Sequence, residues 1–199
     1  MDLTEVIKRR RMTRHFSAAP VAGELITALL RKALQAPSAG SSRGVDLVLL
    51  DTAEARDHFY DLTTTGNWYD PGIRAAPVVV VPTGDPVRYV ERYSRPDKSH
   101  SSLAGLPAAA WPVPYWQVDA AFVTMQLLLL AEEAGLGALF HRLHRDPTEW
   151  LAAIGAPRHV DPIGAVVLGW SSRRARAGRH ATSSVASRSQ SERIHAGRW

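Results

Sequence analysis

Cysteine is absent from the 199-residue chain, which removes disulfides, thiolate metal sites and a cysteine nucleophile from consideration. An apolar leader is also missing. The chain opens Met1-Asp2-Leu3-Thr4-Glu5, acidic and without the hydrophobic segment of a signal peptide, so a cytoplasmic protein is expected. Long hydrophobic runs are lacking too. The longest, residues 120–131, contains Thr124 and Gln126 and stops at Glu132-Glu133, well short of the ~20 residues that span a bilayer. A buried helix and no membrane partner are expected. Lysine is scarce (Lys8, Lys32 and Lys98), so arginine carries almost all of the positive charge. No G-x-G-x-x-G follows the first expected strand, which withdraws support from a dinucleotide-binding doubly wound fold. No H-E-x-x-H and no G-x-S-x-G occur, and His141 and His144 have no third ligand motif. Neither a metal site nor nucleophilic hydrolysis is expected.

What is present is ordinary for a globular chain: 45% hydrophobic and 22% charged residues, read as one domain over residues 1–199. The net charge of +5 is unevenly placed. Seven arginines against Glu192 give residues 171–199 a balance of +6, leaving the remainder near −1. This is a basic arm on a near-neutral body, not a basic groove, and it argues against nucleic acid as the partner.

Hydrophobic periodicity and turn residues set the expected elements. Asp2-Leu3-Thr4-Glu5 is a capping box that opens a short amphipathic helix. Helices are expected over 24–36, 52–62 and 116–134, and strands over 45–50, 76–81, 137–144 and 163–170. A second capping box, Asp146-Pro147-Thr148-Glu149, places proline at the first helical position of a helix running to Ile154. Residues 83–114, rich in Pro, Tyr, Arg and Ser, are expected to be an irregular insertion that walls a pocket, with a short helix near 88–93.

Four stretches, in order, resemble the nitroreductase family. Arg9-Arg10-Arg11-Met12-Thr13-Arg14-His15-Phe16 is similar to the family opening R-R-S-x-R-x-F, with Met12 where serine is usual. Ala36-Pro37-Ser38-Ala39-Gly40-Ser41-Ser42-Arg43-Gly44-Val45 resembles A-P-S-x-x-N-x-Q-P-W, with Ser41 in place of the asparagine and Arg43 in place of the glutamine. Trp111-Pro112-Val113-Pro114-Tyr115-Trp116-Gln117-Val118-Asp119, then a long helix and Gly135-Leu136-Gly137-Ala138, resembles a subgroup with W-P-V-P-Y-W-x-V-D and G-L-G-A that we associate with actinobacteria. The closing residues 187–199 are similar to R-R-P-L-x-E-V-V-H-W-x-x-W, with Arg188 at a basic position and Ser187 replacing the first arginine.

The resemblance implies an α+β fold: a mixed central sheet surrounded by helices, a long central helix at a homodimer interface, and an extended C-terminal arm over 171–199. It implies FMN as cofactor and NAD(P)H as co-substrate. Residues carried over to the flavin are Arg10, Arg11, Met12 and Arg14 at the phosphate and the N1/O2 edge, and Pro37, Ser38, Ala39 and Ser41 under the ring. Main-chain groups of Leu139, Phe140, His141 and Arg142 would face N5 and O4, and Arg188 would face the phosphate. A phosphate of charge near −2 suits forked, charge-assisted donors. The implied activity is ping-pong reduction of a small organic acceptor, with no side chain cast as catalytic because the cofactor performs the chemistry. The alternatives are a flavin dehydrogenase or dehalogenase on the same fold, a flavin-binding or sensing protein without turnover, and a basic nucleic-acid-associated protein.

Overall fold

A computed structural model describes residues 2–64, 71–172 and 193–197. Helix α1 (Leu3–Arg9) begins as its capping residues predict: the Asp2 carboxylate accepts from the Glu5 N–H at 2.9 Å. Lys8 and Arg9 occupy the last turn, where the helix dipole favours cations. Helix α2 (Gly23–Ala33) ends three residues earlier than expected, because Gln35 and Ala36 tighten the exit with bonds to the Lys32 and Ala33 carbonyls. A three-residue 3-10 turn, Ala39–Ser41, then leads to strand β1 (Val45–Leu50).

Helix α3 (Ala53–Thr63), the single turn α4 (Pro71–Arg74) and strand β2 (Val78–Gly84) follow. β2 runs past its expected end and includes Pro82, which lacks an N–H. That gap is tolerated because β5 pairs with β2 only at Val78–Val80 and β4 only at Thr83 and Gly84, so Pro82 falls between them. The 83–114 segment holds helix α5 (Pro86–Tyr93) and 3-10 turns at Pro96–Lys98 and Ala108–Ala110. The long helix α6 (Tyr115–Glu133) is followed by β3 (Gly137–His141), α7 (Thr148–Ala153), β4 (Asp161–Pro162) and β5 (Ala165–Gly169).

β3 stops at His141, short of the expected 144, because the His144 and Arg145 amides turn away to the Thr63 carbonyl. Pro147, expected at the first helical position, instead sits at the cap of α7, one place before Thr148, while the Asp146 carboxylate accepts from the Thr148 N–H at 2.8 Å. α4 and β4, of four and two residues, are too short to carry a periodic signal.

The strands order β1-β2-β5-β3, with β4 also on β2, and every strand pair is antiparallel. The mixed character expected of the sheet is confined to one parallel bridge, Met12 to Ala138, at the outer edge of β3. The four consecutive valines of β2 are buried on both faces. Val78 and Val80 pack toward α2 and α6 with Ile26, Leu29, Val123 and Leu127. Val79 and Val81 pack toward α3 and α7 with Phe59, Tyr60 and Trp150. Burying such side chains contributes about 1.5–3 kcal/mol each, which makes β2 the spine of the layers. Among the described residues no helix is long and apolar enough to cross a membrane.

Candidate functional site

The first basic stretch leaves α1 and crosses the outer edge of β3. The Thr13 amide donates to the Ala138 carbonyl at 2.8 Å, and the Phe140 amide points to the Met12 sulfur at 3.5 Å. The approach is close: a Cβ on Gly137 would stand 2.8 Å from both Thr13 Cγ2 and Oγ1, so glycine is required there. The resemblance places Arg10, Arg11 and Met12 at the phosphate, Arg14 at the N1/O2 edge of the ring and residues 139–142 at N5 and O4. The structure puts the basic stretch and residues 139–142 on the same strand edge.

Alternation along an antiparallel edge strand sorts the main-chain donors. Ala138 and Phe140 face outward, so Leu139 and His141 direct their N–H groups at β5, and the outward donors are those of Phe140 and Arg142. The first of these already lies against Met12, a weak acceptor. The His141 ring is half-buried, and its pKa is held below the ordinary value by desolvation, so the imidazole is neutral at pH 7.

The arginines here are unspent. Arg10 Nη1 is buried with no hydrogen-bond partner among the described residues, and neither Arg10 nor Arg14 makes a salt bridge to any of them. Arg11 bonds only main-chain carbonyls, those of Lys8 and Arg10. A buried guanidinium N–H left unmatched costs about 1–3 kcal/mol or more, and an anion at this edge would recover it. The donor set therefore fits a phosphate group. Among the described residues no cluster of three or more His, Cys, Asp or Glu could hold a metal ion.

The second stretch lies elsewhere. Pro37 is exposed beside α6, whereas Ser38, Ala39 and Ser41 belong to a loop closed over the start of that helix. Asp119, 2% exposed on α6, accepts from the Ala39 N–H at 2.8 Å and the Tyr89 hydroxyl at 2.6 Å on the same oxygen. Burial, followed by the Asp119 contact, pushes the Tyr89 hydroxyl far above the usual phenol range, so it remains a donor. The Ser38 hydroxyl accepts from the Arg43 N–H at 3.0 Å. Asp119 stood in the third stretch but carried no assigned role. The signal for it is physical: a carboxylate inside an apolar helix must be matched by donors.

The two groups sit at opposite ends of α6. Arg9 pairs with Glu132 at 3.3 Å, near the start of β3, while the loop is tied to Asp119. Thirteen helical positions at about 1.5 Å each put the two anchor residues, Asp119 and Glu132, roughly 20 Å apart along the helix. Between them an exposed apolar face, with Phe122, Met125, Leu129 and Leu3, frames a hollow of about 480 Å³. The aromatic segment, expected to wall a pocket, packs on itself: Trp111 lies 5.1 Å from Tyr93, 6.1 Å from Tyr115 and 6.2 Å from Trp116 between ring centres. Arg188 lies outside the described residues.

Residues 7–69 match the sequence model of the Nitroreductase family. A protein of Methanothermobacter thermautotrophicus, described as a candidate NADH dehydrogenase/NAD(P)H nitroreductase, is 26% identical over 173 residues, covering 85% of this chain and 78% of the relative. A nitroreductase family protein of Clostridium difficile 630 shares the fold with a TM-score of 0.72 at 21% identity, covering 100% of both chains. A candidate nitroreductase of Exiguobacterium sibiricum, solved in complex with FMN, superposes with a TM-score of 0.69 at 19% identity, covering 92% of this chain and 93% of that one. Over residues 7–69, and in its fold, the chain is similar to the nitroreductase family. The backbone bears on one departure from the family pattern. Ser41, where the family pattern has asparagine, has φ +56, and asparagine tolerates that left-handed region better than serine does.

Proposed function

We propose that this chain is an FMN-dependent NAD(P)H oxidoreductase that reduces a small organic acceptor, a nitroaromatic, a quinone or a compound of similar size, and works as a homodimer. The observation that carries the reading is the buried Nη1 of Arg10 at the outer edge of β3, without a hydrogen-bond partner among the described residues, in the same stretch as Arg14, which makes no salt bridge to any of them. Arg10, with backbone help from Arg11 and Met12 and, from the C-terminal arm, Arg188, binds the FMN phosphate. Arg14 lies toward the N1/O2 edge, where a cation stabilises added negative charge. The Arg142 amide, and the Phe140 amide once it exchanges the weak Met12 sulfur for a better acceptor, face N5 and O4, and Ser38, Ala39 and Ser41 meet the ring. The chemistry supplied by bound FMN is two-electron transfer in two half-reactions, from the reduced nicotinamide and then to the acceptor.

A second copy follows from the separation along α6. A flat ring cannot touch both the β3 edge and the 38–41 loop of one chain across roughly 20 Å. A two-fold partner with α6 antiparallel brings its loop to the first chain's arginines and covers Phe122 and Met125, which are 48% and 44% exposed in one chain. Residues 1–199 act as one FMN-binding domain in this reading. The requirement for a reduced nicotinamide carries a cytoplasmic location with it.

The test is a visible spectrum and a turnover assay on the purified protein. Oxidised-flavin absorption, and NAD(P)H oxidation that depends on added acceptor, are expected. Protein that neither retains FMN nor quenches its fluorescence removes the proposal.

A further inference from the structure

The 38–43 loop is held in a conformation that most side chains avoid. Gly40, Ser41 and Arg43 have φ of +61, +56 and +51. Each non-glycine residue in that region costs on the order of 1 kcal/mol, so something outside the loop must impose the shape. Two elements do so. From α5, Arg92 Nε donates to the Gly40 carbonyl at 2.8 Å, while the same guanidinium is fixed by both Asp97 oxygens at 2.9 and 2.7 Å. A Cβ on Gly40 would stand 2.8 Å from the Tyr93 ring, which itself rests on Trp111. From α6, Asp119 holds the Ala39 amide and, through the Tyr89 hydroxyl, ties the loop to α5 a second time.

Most polar main-chain atoms of the loop are consumed by this frame. The Ser38 and Ala39 carbonyls accept the Ser41 and Ser42 amides, Arg43 N–H goes to Ser38 Oγ, and the Gly44 carbonyl accepts the Asp85 amide. The Ser38 and Gly40 N–H groups, the Ser41 and Ser42 carbonyls and the exposed Ser41 hydroxyl are left without a partner among the described residues. They lie close together in sequence, and their presentation depends on the frame.

We propose that Arg92 and Asp119 are positioning residues that fix the loop so that the Gly40 N–H and Ser41 meet the flavin ring, and that the 83–114 insertion serves as the loop's frame. The inference rests on the FMN reading above and names the groups that make its ring subsite. The frame acts on ring recognition, and the Arg10 edge acts on the phosphate. Two ligands separate these contributions: FMN carries both groups, and riboflavin lacks the phosphate.

The experiment titrates FMN and riboflavin against the full-length apoprotein by flavin fluorescence, well below its melting temperature, for wild type, Arg92→Ala, Arg92→Lys and Asp119→Asn. Arg92→Ala and Asp119→Asn are expected to weaken both ligands by the same factor, about tenfold, with circular dichroism unchanged. Arg92→Lys, which keeps a donor for the Gly40 carbonyl, is expected to recover part of that loss. Arg92 belongs to neither hydrophobic core cluster, so its truncation leaves the core intact if Asp119→Asn fails to fold. Variants that bind riboflavin as the wild type does, or that lose only FMN, overturn the proposal while leaving the cofactor reading in place. A wild type that binds neither flavin sinks both.

Discussion

The β3 edge and the 38–43 loop are both short irregular segments rich in polar residues, yet they are built in opposite ways. At the edge the charges are unspent: Arg10 keeps a buried Nη1 without a partner, and Arg14 has no carboxylate within salt-bridge reach among the described residues. In the loop the polar atoms are spent on Asp119, Arg92 and on one another, and the backbone is strained instead. The contrast separates two ways of preparing to bind. One region stores an unmet electrostatic demand that an anion satisfies. The other stores shape, so that its few remaining donors arrive already oriented and little ordering entropy is lost on binding.

If the two regions complete one site only across a dimer, separating the copies should have the largest effect. Phe122→Glu places a charge on the apolar face of α6 without disturbing one chain's core, since Phe122 is 48% exposed there. Sedimentation should show a monomer, and FMN affinity should fall by more than about a hundredfold, because each half-site alone loses several charge-assisted or hydrogen-bonded contacts. A dimer of unchanged affinity would mean that each chain binds alone. Arg10→Ala tests the electrostatic side. Removing one phosphate–arginine contact of about 1.5–3 kcal/mol should weaken FMN roughly ten- to a hundredfold, as read by calorimetry, and leave riboflavin unaffected. Equal losses for the two ligands would take the phosphate away from this edge.

The smallest effect belongs to the strained loop. Ser41→Asn restores the residue of the family pattern at φ +56. It should raise the thermal midpoint by a few degrees, the equivalent of about 0.5–1 kcal/mol, and tighten FMN severalfold. A lower midpoint would show that the asparagine side chain cannot fit beside the frame.

Much of this architecture was legible in the residues. Four consecutive valines announce a strand covered on both faces, and Asp2 and Thr52 mark helix starts through side-chain acceptors that the structure uses. The order of the four stretches carries the resemblance to the nitroreductase family before any coordinates. The relation between the stretches could not be read. Nothing in residues 9–16 and 36–45 states that they lie at opposite ends of α6, because that depends on where each chain segment docks on a helix far away in sequence. The aromatic segment misled for a related reason. Trp, Tyr and Pro in a long insertion suit a pocket wall and a self-packed brace equally well, and only the ring-to-ring contacts distinguish them. Met12 was legible as a lost hydroxyl, but its sulfur lying against the Phe140 amide was not.

The Met12–Thr13 crossing has one more consequence. A border strand with a bare row of amides and carbonyls invites the strand of another molecule, and proteins that leave such rows open tend to stick together. Here the residues that deliver the arginines also cap the outward groups of Ala138 and Phe140. The sheet is thereby closed to further growth on that side, and association between copies is left to the helix faces.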